Sequence, residues 1–343
     1  MKRITVLGGS GFLGSKTAKA LRAVPGVEVL TASRRDGIRV DVTRRETFTS
    51  LLGTDLLVDL SDATSHAPDE LIDYCLANGV TVIEATSDSP CIERLHRRFA
   101  STSGSLVLGG GIFTGMSNLL ARDVAGEIDD LEALSLGISW SPFCGAGRGT
   151  IELMLAMLTA PVPRYKGDRR IDDPGPSRGP DLELTTARRA SIRIPFAESF
   201  MLHESTGARD VDVFCAPKQA FVVSAFDKLP KLLTHSALGQ ALLRAYFTLL
   251  RRVVFRTKPS SVEMVATAKG KNSTVTRRLD TSDGMWAGAW ALAALAEAAL
   301  AGTKGGVQFI DDVARLEPTV ARANQLAGKT VLEVTAPCPT SMR

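Results

Sequence analysis

The sequence predicts an α/β fold, a parallel sheet wrapped by helices and followed by a second, α+β domain, on three observations. Through the first hundred residues, short β-branched apolar runs alternate with amphipathic stretches of about 10–15 residues, the order that βαβ units require. A glycine cluster ends the first apolar run and opens the first helical stretch. The 343 residues suffice for two domains and for a core that needs no covalent staples.

In order along the chain, residues 3–7 (Arg3-Ile4-Thr5-Val6-Leu7) form the first strand, stopped by Gly8-Gly9-Ser10-Gly11-Phe12-Leu13-Gly14. A helical pattern then runs to Val24, where Pro25-Gly26 breaks it. Residues 27–32 are the second strand and 38–42 a shorter third, with a helix starting near Thr43. Residues 56–60 and 81–84 are further strands, separated by a helix over 68–77 that Asn78-Gly79 stops. Another amphipathic helix covers 89–101, and a sixth strand covers 105–108.

Gly9-x-Gly11-x-x-Gly14, after a strand and before a helix, is a dinucleotide fingerprint, which makes the sheet one of Rossmann type. The first glycine permits a tight turn, the second lets backbone approach a diphosphate, and the third lets helix and strand pack closely. The helix N-terminus adds unpaired N–H groups and partial positive charge. Gly8, Gly9, Ser10, Gly11, Phe12, Leu13 and Gly14 are therefore the expected diphosphate-binding residues. At the end of the second strand, where a carboxylate would take the ribose 2′-hydroxyl of NAD, the chain has Ser33-Arg34-Arg35. Guanidinium groups pair with a 2′-phosphate that a carboxylate would repel, so the expected cofactor is NADP(H). Asp41 either bonds the adenine amino group or caps the helix near Thr43.

Other chemistries are excluded or left without support. A short-chain reductase needs a tyrosine four residues before a lysine, but Tyr74, Tyr165 and Tyr246 are followed at that distance by Asn78, Arg169 and Leu250. His66, His96, His203 and His235 lack H-x-x-x-H spacing and no cysteine pair has ligand spacing, so no metal site is expected. The five cysteines, Cys75, Cys91, Cys144, Cys215 and Cys338, are an odd and scattered set, which suits reduced thiols and a cytoplasmic setting. The apolar run after Met1-Lys2-Arg3 is too short for a signal segment. Lys and Arg total 41 against 37 Asp and Glu, spread along the chain with few aromatic residues among them, so no nucleic-acid partner is expected.

The chain resembles the saccharopine dehydrogenase-like (saccharopine reductase) oxidoreductases. The resemblance runs from Val6-Leu7-Gly8-Gly9-Ser10-Gly11 through Thr54-Asp55-Leu56-Leu57-Val58-Asp59 and Cys75-Leu76-Ala77-Asn78-Gly79-Val80. It continues in Leu108-Gly109-Gly110-Gly111-Ile112-Phe113-Thr114-Gly115-Met116-Ser117-Asn118, in Gly147-Arg148-Gly149-Thr150, and in residues 286–300 with Gly305-Gly306-Val307. It is loose between residues 165 and 260. The resemblance implies hydride transfer, an acidic residue at Glu84 that ends the fifth strand, and a glycine-rich link from the sixth strand into the second domain. Phe113-Thr114-Gly115 stands where saccharopine-handling members usually have Asp-Pro-Gly, which implies a less polar substrate.

Open α/β sheets bind ligands beyond the C-terminal ends of their strands. Ser61 and Ser87 are therefore expected beside the cofactor, and Asp62, Thr114 and Asn118 as candidate catalytic groups. Thr64, Thr86, His66 and Ser117 lie in the same loops. Phe113, Met116 and Arg148 are candidate substrate contacts, Arg148 from a glycine-rich turn before a helix. A helix within residues 231–256 carries Gln240, Arg244, Thr248, Arg251 and Arg252 as one narrow polar stripe among apolar residues. It is a core or subunit-interface helix, a lid over a hydrophobic ligand, or a helix that docks on anionic lipid.

The expected organisation is a Rossmann domain over residues 1–118, an α+β substrate and dimerisation domain over 119–283, and a helical segment over 284–343 that returns to the first domain. Further strands are expected at 134–140, 211–215, 221–225, 261–268 and 274–279, with a Pro/Gly-rich loop at 172–180. The expected activity is NADP(H)-dependent hydride transfer to or from a C=N, C=O or activated C=C bond of a medium-sized, partly hydrophobic small molecule, by a homodimer. The rival readings are a catalytically silent NADP(H)-binding sensor and a membrane-associated lipid or polyketide reductase.

Overall fold

A computed structural model describes residues 1–61, 68–141, 143–144, 148–228, 236–253 and 260–335. The chain divides into two compact units, one of Met1–Leu119 with Met285–Leu332, the other of Leu120–Gly284 with the residues from Glu333 on.

The first unit is built on a seven-stranded sheet whose strands are all parallel. Its strands are β1 (Lys2–Leu7), β2 (Val27–Ser33), β3 (Ile38–Arg39), β4 (Leu56–Asp59), β5 (Thr81–Glu84), β6 (Ser105–Leu108) and the late strand Gly306–Phe309. The spatial order is Gly306–Phe309, β6, β5, β4, β1, β2, β3. From β1 the chain steps outward through β2 and β3, then returns to the other side of β1 as β4. That reversal makes the β1/β4 boundary a topological switch point. The register pairs Leu7 with both Ala32 and Asp59, Asp59 with Glu84, and Glu84 with Leu108, so the ends of five strands line up on one edge.

Helices cover both faces of such a sheet, so its strands must be apolar throughout. Leu56, Leu57, Val58, Val82, Ile83, Leu106, Val107 and Leu108 are accordingly fully buried. Helices α1 (Phe12–Leu21), α2 (Asp69–Ala77) and α3 (Ser89–Arg98) supply the crossovers. Asp88 caps α3 by accepting the Cys91 amide, and Gly79 ends α2 in a left-handed turn. The helix Gly284–Gly302 is apolar on all sides. It is the one helix among the described residues long and apolar enough to cross a membrane, yet Ala287, Ala289, Leu292, Leu295 and Ala296 are buried in the first unit. A missing side chain at Gly110 lets Leu292 seat against the backbone there.

The second unit centres on the strand Ala133–Ser139, paired in parallel with Asp210–Cys215 and antiparallel with Val262–Lys269. Thr274–Thr281 and then Glu333–Thr335 continue the sheet beyond Val262–Lys269. Leu182, Leu184, Phe214, Ala216 and Val265 form one of its buried clusters.

Several expectations are corrected. Residues 221–225 are not a strand but part of the helix Ala220–Lys228. A short β-branched run is ambiguous on its own, and here Val223 is buried while Phe221 is 50% exposed, the one-sided burial of a helix. The third strand stops at Arg39 rather than 42, because Asp41 turns the chain into the 3₁₀ helix Arg45–Leu51. The stretch 172–180 is not wholly loop, since it holds the end of the strand Arg169–Asp173 and the strand Ser177–Arg178. Nor is the chain after Gly284 wholly helical, since Gly306–Phe309 joins the first sheet and Glu333–Thr335 the second.

Helix α1 packs closely on the turn that follows β1. A Cβ on Gly14 would lie 2.1 Å from the Gly8 carbonyl oxygen, a backbone atom that has no room to move. Gly14→Ala is therefore expected to destabilise the chain by roughly 1–3 kcal/mol in urea unfolding, despite its better helix propensity. Gly302→Ala, with nothing within 4 Å of the added carbon, is the neutral control. An unchanged midpoint in Gly14→Ala would contradict this packing.

Candidate functional site

The loop between β1 and α1 is held open by its own backbone. Gly8 adopts φ +75°, and the amides of Gly8 and Gly9 both donate to the Ala32 carbonyl, at 2.9 and 3.3 Å. The Gly11 amide donates to the Gly8 carbonyl at 2.8 Å, and the first helical bond runs from the Ser15 amide to the Gly11 carbonyl at 3.0 Å. The amides of Phe12, Leu13 and Gly14 precede that bond, and the cap residue Gly11 has no side chain to accept them. An anion is the partner such a helix start accommodates. Ser10, Gly11 and Phe12 are exposed, and Lys16 lies 4.7 Å from the Phe12 ring and 4.8 Å from the Trp286 ring.

The next turn is joined to this loop through Ala32. Ser33 is buried, and its hydroxyl accepts the amides of Arg35 and Asp36 at 3.2 and 2.7 Å and donates to the Asp36 carbonyl at 2.7 Å. Ser33 therefore shapes the turn, while Arg34 and Arg35 stand exposed and make no ion pair among the described residues. Asp36 is exposed on the same turn. Asp41 does not cap the helix, which starts at Arg45 behind Arg44 with no side-chain cap bond; its Oδ1 closes the preceding turn by accepting the Thr43 amide at 3.0 Å and the Thr43 hydroxyl at 2.8 Å. Those bonds hold its pKa below the usual carboxylate value.

At the ends of β4 and β5 lies a pair that the spacing of residues did not reveal. Asp59 and Glu84 are neighbours in register and both 1% exposed. Asp59 Oδ1 accepts the Ser61 amide at 2.8 Å, and Glu84 Oε1 accepts the Thr86 amide at 3.1 Å. The other oxygens, Asp59 Oδ2 and Glu84 Oε2, meet no N–H or O–H donor among the described residues. A proton kept on Glu84 would find its acceptor in Asp59, the strand neighbour whose hydrogen bond contributes to the raised Glu84 value. Burial, then the Asp59 charge, pushes the Glu84 pKa well above its ordinary value, and burial also raises Asp59. Burial and these same carboxyls push the thiols of Cys75 and Cys91 up to about 12, which leaves both unreactive. Two short apolar strands that each end in an acid, Leu-Leu-Val-Asp and Thr-Val-Ile-Glu, were the available signal.

Beyond β6 the chain passes Gly109 and Gly111, both at positive φ, and enters α4 (Ser117–Ala125). Thr114 is fully buried at φ +52°, a left-handed conformation that a β-branched residue adopts only under constraint. Its hydroxyl lies 3.1 Å from the Thr86 carbonyl and 2.7 Å from that of Phe113, which ties the β6 loop to the β5 loop. Asn118 is fully buried, with neither amide atom bonded among the described residues. Ser61 and Ser87 are half-buried on neighbouring loops, Phe113 is half-buried and Met116 is buried. The first unit thus gathers Ser61, Ser87, Thr114 and Asn118 at one edge of the sheet. Asp62, Thr64, His66 and the turn before Arg148 lie outside the described residues, as does the Arg148 side chain.

No protein-family model matches the chain, and no curated protein matches it. Among solved structures it is similar to the Corynebacterium glutamicum DAP dehydrogenase in complex with DAP, at 13% identity over 91% of this chain and 94% of that one, with a TM-score of 0.47. It is also similar to an amine dehydrogenase from Mycobacterium smegmatis, at 13% identity over 92% and 97%, TM-score 0.45. A third is the WlbA dehydrogenase from Thermus thermophilus in complex with NAD and UDP-GlcNAcA, at 15% identity over 99% and 98%, TM-score 0.40. None of the three is a saccharopine dehydrogenase, and the fold rests on the strand order given above.

The carboxyl pair sets a pH dependence. Folded Glu84 keeps a proton that the unfolded chain releases above its ordinary value of 4.5, so stability is full below that value and falls as pH rises toward the raised folded pKa. Glu84→Gln cannot ionise and presents an N–H to Asp59 permanently. Melting temperatures measured from about pH 5 to about pH 8 should fall less steeply in Glu84→Gln than in the parent. Parallel curves would show that the pair carries no shared proton.

Proposed function

We propose that the chain is an NADP(H)-dependent oxidoreductase of the saccharopine dehydrogenase-like type. The observation that carries this reading is the hydrogen-bonded junction at Ala32, which sets the glycine turn beside the Arg34-Arg35 turn at the switch point of the sheet. The amides of Phe12, Leu13 and Gly14 would hold the diphosphate, and Arg34 and Arg35 the 2′-phosphate. Gly8, Gly9, Ser10 and Gly11 give the backbone clearance, and Ser61 and Ser87 flank the cofactor on the β4 and β5 loops. When bound, the cofactor supplies a hydride donor or acceptor at its nicotinamide ring.

The side chains at the sheet edge orient and exclude rather than ionise. A proton kept on Glu84 would hold that edge at low charge, while Asp59 Oδ1 and Glu84 Oε1 fix the Ser61 and Thr86 amides. Thr114 holds the β6 loop against Thr86, and Asn118 brings an unspent donor and acceptor to the same edge. Phe113 and Met116 would line the substrate side; Arg148, in the second unit, stays a separate candidate for a carboxylate or phosphate contact. Such a lining suits a medium-sized, partly hydrophobic substrate with a C=N, C=O or activated C=C bond.

A second reading, a catalytically silent NADP(H)-binding protein, is favoured by one observation. The carboxyls that end β4 and β5 are buried and engaged with one another, not presented as an exposed acid or base. Stoichiometric NADPH binding without turnover on a panel of imines, ketones and enoyl esters would select it.

Fluorescence titration tests the cofactor assignment. The parent should bind NADPH more tightly than NADH, and Arg34→Ala/Arg35→Ala should weaken NADPH by about 30-fold or more while leaving NADH within about twofold. Equal affinity of the parent for the two coenzymes would remove the NADP(H) assignment, and tighter NADH binding would turn the ribose site over to Asp36.

A further inference from the structure

Between Gly8 and Thr17 the sequence carries a single charge, on Lys16. Lys16 stands four residues after Phe12 on the same face of α1, and long side chains on a helix lean toward its N-terminus. Its ammonium accordingly lies back over the Phe12 ring, 4.7 Å from the centroid, and 4.8 Å from the centroid of Trp286. Both are distances at which a ring face attracts a cation. Lys19, one turn further along α1, lies 5.5 Å from the same Trp286 ring. Neither lysine makes a hydrogen bond or an ion pair among the described residues. Helix α1 has no acidic residue, and the helix Gly284–Gly302 has only Glu297, which Arg322 engages at 2.6 and 2.8 Å. Two ammonium groups thus meet one indole with no carboxylate from either helix to offset them. An anion bound beside them would relieve that charge.

The dinucleotide turn has a use for such a cation. The diphosphate of a nicotinamide coenzyme is a dianion, and the amides of Phe12, Leu13 and Gly14 offer it hydrogen bonds but no formal charge. Arg34 and Arg35 follow β2, at the ribose end of the proposed site. Phe12 is the first residue of α1, so an ammonium over its ring stands at the helix start, and Lys19 stands a turn away from it. We propose that Lys16, clasped by Phe12 and Trp286, is the cation that binds the cofactor diphosphate. The rings hold its flexible stem without a counter-ion, so less freedom is lost when the phosphates arrive. This assignment rests on the dinucleotide reading of the glycine turn and adds the side chain that neutralises the diphosphate. Both coenzymes share that group, so Lys16 sets their affinity together, whereas Arg34 and Arg35 act on NADPH alone.

Fluorescence titration of the full chain with NADPH and with NADH tests it. Lys16→Met keeps the stem and the helix propensity, and should weaken both coenzymes by one common factor of about tenfold or more, with a flatter salt dependence. Lys16→Arg should recover most of the affinity, and Lys19→Met should stay within about twofold of the parent. Melting curves check that each variant folds. In the unmutated chain, NADPH should slow the acetylation of Lys16 by acetic anhydride, read by mass spectrometry, and leave Lys19 unchanged; this decides alone if Lys16→Met does not fold. A parent that binds neither coenzyme overturns the dinucleotide reading and the role of Lys16 with it. If the parent binds, three results overturn the role of Lys16 alone: parental affinity in Lys16→Met, a loss confined to NADPH, or an equal loss in Lys19→Met. Unslowed acetylation of Lys16 in the parent at saturating NADPH does the same.

Discussion

Everything at the functional edge depends on how closely one helix approaches the end of one strand. Gly14 brings α1 so near the Gly8 carbonyl that no side chain fits between them. That closeness lets the chain leave β1, turn once and start a helix with three amides unclaimed, directly over the strand ends. Any residue with a Cβ at position 14 would push the helix out and carry those amides away from the edge. The Ala32 carbonyl then couples the turn to the neighbouring strand by accepting both Gly8 and Gly9. The position of the basic turn after β2 is thus set by the same few atoms.

The remainder of the edge is held by polar groups that burial forces to cooperate. Asp59 and Glu84 have little access to water, so each uses one oxygen to fix the amide two residues on, and burial with the neighbouring carboxyl favours keeping a proton on Glu84. Thr86, positioned by Glu84, offers its carbonyl to Thr114, which accepts a strained conformation to reach it. Three successive loops are locked together by this chain of contacts. Asn118, in the first turn of α4, is fully buried with neither amide atom bonded among the described residues.

The parallel sheet was legible because both of its faces are covered: strands such as Leu56–Asp59 and Ser105–Leu108 read as unbroken apolar runs, and glycines mark the turns between them. The glycine turn was legible for the same reason, since its spacing answers a backbone requirement rather than a side-chain one. The Asp59–Glu84 pair was not, because two residues 25 positions apart become partners only through the register of β4 and β5. Ala220–Lys228 was misread because a four-residue apolar run has no period of its own, and burial of one side is a tertiary fact. The polar stripe of Ala237–Val253 was visible in the sequence, but its direction was not. The Arg244–Glu152 pair and the Phe247–Phe143 stack, between residues 92 and 104 apart, show what the helix packs against.

The claim on which the account rests is that the amides at the start of α1 hold the cofactor diphosphate. Hydrogen–deuterium exchange of the full chain, with and without saturating NADPH, addresses it most directly. Exchange should slow in the peptides spanning residues 8–16 and 33–36, with the helix at 237–253 unchanged. Unaltered exchange over residues 8–16 with saturating NADPH and with saturating NADH would contradict it.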